Sequence, residues 1–192
     1  MATHWSAETI HSELHTVAQH IEKPVSAYLV GGSAMVVQGY KERTPDVDLV
    51  VPSDTEFNRL QHALTEVGYE CTLLKQDTDD TFWMCQFENE AGSELDIFNT
   101  QIGDGLILSD GIRRRSAPYI TTAAAEISVI RPEDIYLSKL VHSGRVKDAP
   151  DTTALSATAL DFDVINEELR AQNELADGTL PSTLAFGQTD KE

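Results

Sequence analysis

The chain reads as an α+β fold in two layers: a small mixed β-sheet with helices on one side, followed by a helical C-terminal portion. Three observations predict it. Short apolar runs rich in β-branched or aromatic residues recur at 25–30, 47–51, 69–74, 82–87 and 94–98, bounded by Gly, Pro, Asn or Asp. Stretches with apolar residues at helical spacing precede the first run and separate later ones. From residue 131 the strand-like runs stop and helical patterns continue alone. At 192 residues the chain can bury a single core. The expected divisions are 1–130 for the core, 131–176 for the helical portion and 177–192, rich in polar residues with Gly and Pro, for a loose tail.

Each element has its own signal. Ile10, Leu14, Val17 and Ile21 share one face of a helix over 6–21, and Pro24 ends it. The strand at 25–30 runs into Gly31-Gly32-Ser33, where Ser33 is expected to cap a short helix over 34–38, stopped by Gly39. The linker YKERTP leads to the strand at 47–51, closed by Pro52. Ser53 with Glu56 three residues later is a capping box, and Phe57, Leu60, Ala63, Leu64 and Val67 mark the helix that follows, with Gly68 at its end. The next three strands, separated by the acidic loop QDTDDT and by a turn at 89–92, suggest antiparallel hairpins. Residues 100–130 are mixed, with short apolar pieces at 106–108, 119–121 and 127–130. Pro132 suits a first helical position, and Glu133 and Asp134 favour the positive end of that helix. Two further helices are expected at 150–160 and 162–175, the second opened by Asp161 or Asp163. No internal repeat is visible.

Composition narrows the function classes. No apolar run approaches the roughly 20 residues that span a bilayer, and the N-terminal residues lack a secretory pattern, so a soluble, cytoplasmic protein is expected. Lys and Arg number 14 against 32 Asp and Glu, a net charge of −18. Acids spread along the chain suit a high-salt cytoplasm, where the screening length falls to about 3 Å at 1 M; an ordinary acidic soluble protein is the alternative. The same charge argues against non-specific nucleic-acid binding, which needs cations to neutralise phosphates. Cys71 and Cys85, both in apolar runs, read as buried thiols of a reducing compartment. Without a Cys-x-x-Cys or clustered His spacing, a zinc site has little support. His11 and His15, one turn apart on an acidic helix, read as a solvated face.

The residues that carry chemistry begin with Asp46 and Asp48. Two apart on a strand, they point to the same face, while Val47 and Leu49 point into the core. Two carboxylates side by side repel unless a cation lies between them, and magnesium, a hard ion taking oxygen ligands, suits the place. Upstream, Gly31 and Gly32 allow a phosphate to approach the backbone, and Ser33 and the helix-start amides offer donors. An ordinary strand-to-helix turn that needs a small residue is the plainer reading. Asp96, in the run ELDIF, adds a third acid among apolar neighbours, where an unpartnered carboxylate is costly; Glu94 on the same face is the alternative.

This order of Gly31-Gly32-Ser33, Asp46-Val47-Asp48 and Asp96 resembles the nucleotidyltransferase superfamily, with its DNA polymerase β-like fold. The longer string with Arg43 and Thr44 before the acidic pair resembles the branch of abortive-infection and toxin–antitoxin nucleotidyltransferases and their uncharacterised relatives. The stretch RPEDIYLSKL, with Lys139 inside it, is similar to that branch's helix with an inward-pointing lysine, and Gly144-Arg145-Val146-Lys147-Asp148 resembles the element that follows it. The resemblance covers roughly residues 26–150.

It implies a metal-dependent transfer of a nucleoside monophosphate from an NTP to an acceptor hydroxyl. Asp46, Asp48 and Asp96 would hold two Mg²⁺ ions, and Asp96 could also act as general base. Gly31, Gly32, Ser33, Arg43, Lys139 and Arg145 would bind the nucleotide. Asp148 would orient Lys139 or Arg145, or assist the acceptor. The helical portion over 131–176 would complete the active-site cleft. Surface alternatives for Lys139 and Asp148 are a snorkelling lysine and a helix-end salt bridge. The branch points to a tRNA 3′ end or a protein side chain as acceptor and to a cognate antitoxin as partner; small-molecule transferases, including antibiotic-modifying ones, share the core. The basic run Arg113-Arg114-Arg115 could contact RNA or be surface charge. A non-catalytic nucleotide- or partner-binding module is the competing class. An α/β hydrolase is disfavoured by the lack of a Gly-x-Ser-x-Gly elbow.

Overall fold

A computed structural model of the chain describes residues 4–76, 83–103, 105–141 and 149–175. The first helix, α1 (Ala7–Gln19), starts at a capping box in which Ser6 and Thr9 satisfy each other's backbone N–H, and it buries Ile10, Leu14 and Val17. The strand β1 (Val25–Val30) passes directly into α2 (Gly31–Val37). Here the expected cap moves. The helix begins at Gly31, whose φ of 58° makes the sharp strand-to-helix turn, so Ser33 lies inside the first turn instead of before it. The chain continues through β2 (Asp46–Val51), α3 (Asp54–Glu66), β3 (Tyr69–Gln76), β4 (Trp83–Asn89) and β5 (Glu94–Asn99). Ser53 caps α3 as expected, but Glu56 completes the box differently: its carboxylate accepts from the Ser53 hydroxyl at 2.9 Å and from the Ser26 N–H of β1 at 3.2 Å.

The mixed segment resolves into a two-stranded sheet of β6 (Gln101–Ile102) and β7 (Leu106–Ile107), a short helix α4 (Asp110–Arg115), and β8 (Ala117–Thr121) with β9 (Ala125–Val129). The helices α5 (Pro132–Val141), α6 (Ala149–Ser156) and α7 (Phe162–Leu175) follow. Asp161 opens α7 by accepting from the N–H groups of Asp163 and Val164. The acidic loop QDTDDT, apart from Gln76 at the end of β3, and the tail 177–192 lie outside the described residues.

The main sheet is mixed, with order β3-β4-β5-β2-β1-β9-β8. β2 pairs antiparallel with β1 and parallel with β5, and β1 pairs parallel with β9. The expected hairpins β3–β4 and β4–β5 are present. α3 lies across β1, β2, β3 and β5 and also touches α1. Leu49 and Val51 of β2, Leu95 and Ile97 of β5 and Leu60 and Leu64 of α3 are fully excluded from solvent. Sheet and helices thus share one apolar core.

Two further features depart from the sequence reading. Cys71 and Cys85 are joined in a disulfide between β3 and β4, with Cα atoms 6.1 Å apart, not held as separate thiols. Cys85 is buried but Cys71 is exposed, because β3 is the outer strand of the sheet and its apolar residues are not all covered; Leu74 is 60% exposed. The arginine run is also divided. Arg115 turns inward from α4 to pair with Asp134 of α5 at 2.6 Å and Glu168 of α7 at 2.7 Å, joining three helices through one guanidinium. Arg113 remains near the surface, 3.4 Å from Asp110. Among the described residues no helix is long and apolar enough to cross a membrane.

Candidate functional site

The sheet brings the three acids together by register. Asp48 is the direct partner of Asp96 across the parallel β2–β5 pair, and Asp46 is the partner of Glu94 two residues away. Strand alternation sends Val47 and Leu49 into the core and leaves Asp46 and Asp48 half-buried on the opposite face; Leu95 and Ile97 do the same for Asp96. One carboxylate oxygen from each of Asp46, Asp48 and Asp96 lies within 4.8 Å of the others. Among the described residues no other group of three His, Cys, Asp or Glu converges in this way. Glu94 is outside the group and accepts a hydrogen bond from Gln86 at 3.5 Å.

Two observations fit a cation. Oδ1 of Asp96 is buried without a hydrogen-bond partner, which an oxygen acceptor tolerates poorly unless something electropositive completes its shell. The Asp96 carboxyl is pushed up to about 6, first by burial and then by the charges of Asp46 and Glu94; a hydrogen bond from Gln86 and the charge of Lys75 work the other way. A cluster of oxygens that resists carrying its full negative charge alone suits a hard divalent ion.

The glycine turn abuts this cluster. A Cβ on Gly31 would collide with Oδ2 of Asp48 and sit 3.2 Å from its Cγ, so the absence of a side chain lets Asp48 lie against the turn. A Cβ on Gly32 would fall 2.6 Å from Oγ1 of Thr44. Ser33 is fully buried. Its hydroxyl donates to Val30 O at 2.8 Å and accepts from the Asp48 N–H at 3.1 Å, so its side chain locks the turn to β2. Thr44 is held by an isolated antiparallel bridge to Trp5, and its hydroxyl donates to Oδ1 of Asp46 at 3.2 Å. Arg43 is exposed on the loop before β2.

Lys139 projects from α5 with its side chain 16% exposed, and its Nζ is 3.2 Å from Oδ2 of Asp151 in α6. Oδ1 of the same carboxylate receives Lys41 at 3.0 Å. Lys41 and Asp151 were not singled out from sequence: Lys41 sits in a polar linker and Asp151 on a helix with no apolar stripe. For Lys41 the signal was scarcity, since Lys and Arg together make up only 14 residues, while Asp151, one of 32 acids, had none. Arg145 and Asp148 lie outside the described residues.

No protein-family model matches the chain, and no curated protein matches it in sequence. Solved structures do resemble it. A candidate nucleotidyltransferase from Thermotoga maritima superposes with a TM-score of 0.53 at 15% identity, over 77% of this chain and 92% of that one. An antigenic nucleotidyltransferase-like protein from Paracoccidioides brasiliensis gives a TM-score of 0.49 at 16% identity, over 92% and 94% of the two chains. A candidate nucleotidyltransferase from H. pylori gives 0.48 at 15% identity, over 88% and 77%. The fold of this chain is a nucleotidyltransferase-like fold.

Proposed function

We propose that the chain is a magnesium-dependent nucleotidyltransferase that moves a nucleoside monophosphate from an NTP to an acceptor hydroxyl. The observation that carries this reading is the convergence of Asp46, Asp48 and Asp96 within 4.8 Å on a nucleotidyltransferase-like fold, against a turn that glycine keeps open. In this reading Asp46 and Asp48 hold the ion that accompanies the nucleotide, and all three acids hold a second. When bound, such ions neutralise charge on the phosphates and lower the pKa of the acceptor hydroxyl.

The remaining chemistry belongs to the chain. Gly31 and Gly32 bring backbone close to the phosphates, and Ser33 fixes the turn relative to Asp48. Thr44 orients the Asp46 carboxylate. Lys139 contributes a compact cation for the β- and γ-phosphates, and α5, which carries it, packs against α2, the helix that begins at Gly31. The acceptor oxygen forms a bond to the α-phosphorus, the α–β bridging bond breaks, and pyrophosphate leaves. Asp96, the direct partner of Asp48 across the β2–β5 pair, is the carboxylate assigned to take the acceptor proton.

The test is incubation with each α-labelled NTP, Mg²⁺ and candidate acceptors that include total tRNA, at low and high salt, beside Asp48→Asn. Metal-dependent transfer of label that Asp48→Asn abolishes is the expected result. Equal labelling by Asp48→Asn removes the assignment, and NTP binding with no turnover on any acceptor favours a binding module.

A further inference from the structure

We propose that Trp5 is a positioning residue for this site: it seats Thr44, and Thr44 sets the carboxylate of Asp46. The proposal rests on the metal-binding reading given above and deepens it, by making the segment ahead of α1 part of what shapes the acidic cluster.

Thr44 lies in the irregular linker between α2 and β2, so neither a helix nor a strand fixes its place. Trp5 does. The Trp5 N–H donates to Thr44 O at 2.7 Å, and the Thr44 N–H donates back to Trp5 O at 3.1 Å, an antiparallel bridge between segments far apart in sequence. Pro45 follows, and a residue before proline favours the extended backbone that such a bridge needs. The Trp5 ring is buried in the main apolar core, which anchors the bridge from below. Its Nε1 has no hydrogen-bond partner among the described residues, so the anchoring is done by the apolar body of the ring. From the bridge the contacts run into the site. Thr44 is buried, and its hydroxyl donates to Oδ1 of Asp46 at 3.2 Å. A Cβ on Gly32 would lie 2.6 Å from that hydroxyl oxygen and 3.4 Å from the Thr44 Cβ. One buried side chain therefore touches both the first acid and the glycine turn. Asp46 is also a ligand that needs holding. It converges with Asp48 and Asp96, and its charge bears on Asp96, so repulsion favours rotation of its carboxylate away from the cluster. A donor locked in place by backbone on one side and core packing on the other keeps that carboxylate turned toward its partners.

The experiment measures Mg²⁺ affinity by calorimetry on the full chain, with Asp48→Asn marking the binding that does not belong to the site. Thr44→Val, which keeps the shape and removes the donor, should weaken Mg²⁺ about tenfold. Thr44→Ser, which keeps the donor, should recover most of that loss. Trp5→Leu should weaken Mg²⁺ comparably, and Trp5→Leu/Thr44→Val should be no weaker than Thr44→Val alone, because Trp5 acts through Thr44. Trp5→Phe keeps an aromatic body and should stay near the parent. Parental affinity in Thr44→Val or in Trp5→Leu, with the parent binding Mg²⁺, overturns the proposal and leaves the metal reading intact. Losses that add in the double variant make Trp5 a general support of the fold, which also overturns it. Should Trp5→Leu fail to fold, the parent and Thr44→Val are labelled with 5-fluorotryptophan, and Trp5→Phe assigns the Trp5 fluorine signal. Mg²⁺ should shift that signal in the parent and shift it less in Thr44→Val; a signal unmoved while the parent binds Mg²⁺ overturns the proposal. If the parent binds no more Mg²⁺ than Asp48→Asn does, the metal reading fails and this inference fails with it.

Discussion

Replacing Gly31 by alanine should separate folding from metal binding, and Gly39 supplies the matched control. Both glycines have positive φ, 58° and 79°, so an alanine at either carries the same backbone penalty, about 1–2 kcal/mol. For a chain of this size that lowers the unfolding temperature by about 2–4 °C per kcal/mol. The surroundings differ. A Cβ at 39 meets nothing within 4 Å, whereas one at 31 meets the Asp48 carboxylate. The colliding atom is the end of a side chain that can rotate, so the added cost falls on ligand geometry more than on stability. Magnesium at about 100 times its Kd would stabilise the parent by about 2.7 kcal/mol, or about 5–10 °C. A tenfold loss of affinity through a displaced Asp48 would roughly halve that gain in Gly31→Ala. Thermal unfolding of the three proteins, with and without Mg²⁺, is the assay. The expected pattern is a similar drop for both variants without metal and a shrunken magnesium shift for Gly31→Ala alone. A full shift in Gly31→Ala, or an equal reduction in Gly39→Ala, would refute the contact between the turn and the metal ligands.

Three further outcomes follow from the same structure. The folded protein holds the protons of Asp96 and of Asp134, both pushed up to about 6 chiefly by burial, more tightly than the unfolded chain, so metal-free stability should fall as pH climbs from about 4 through about 6, while Mg²⁺ affinity should rise over that window; Asp96→Asn should reduce the stability slope to the share that Asp134 leaves and flatten the Mg²⁺ profile, and unchanged profiles contradict the assignment. Arg115→Leu strips the countercharge from Asp134 and Glu168, whose side chains are each 1% exposed, and should cost about 3–5 kcal/mol in urea unfolding; a loss below 1 kcal/mol would show that the network is not holding charge. Reducing the Cys71–Cys85 bridge, which spans a sequence separation of 14, should cost about 3 kcal/mol, so dithiothreitol should lower the unfolding temperature of the parent but not of the Cys71→Ser/Cys85→Ser variant. Identical curves for all four conditions would mean the bridge contributes nothing.

Local patterns made most elements legible in the sequence, and non-local pairings made the rest opaque. The strand Val25–Val30 and the helix α3 announce themselves through β-branched runs and a 3.6-residue stripe, because those signals lie within a few residues of one another. Helix α4 does not, since six residues with one buried side chain, Ile112, contain too little period to see. The acids Asp46, Asp48 and Asp96 could be nominated because charged residues among apolar ones are conspicuous. That β2 would run parallel to β5, setting Asp48 opposite Asp96, depends on the whole sheet. Cys71 was misjudged for a related reason: an apolar run looks the same in an outer strand as in a central one. Arg115 could not be told from Arg113 and Arg114, because only the packing of α4 against α5 and α7 decides which of the three turns inward. Lys41 and Asp151 meet across more than a hundred residues, and no local pattern links them.

The parallel pairing of β2 with β5 also bears on the order in which the molecule acquires its chemistry. Asp96 follows Asp48 by 48 residues, with α3, β3 and β4 between them. During synthesis the first two acids emerge well before the third, and closing that intervening loop carries an entropic cost that grows with its length. A growing chain that has not yet set β5 beside β2 holds two repelling carboxylates and no third. If the three acids hold a divalent ion as proposed, the complete set of ligands exists only once the sheet has closed around its central pair.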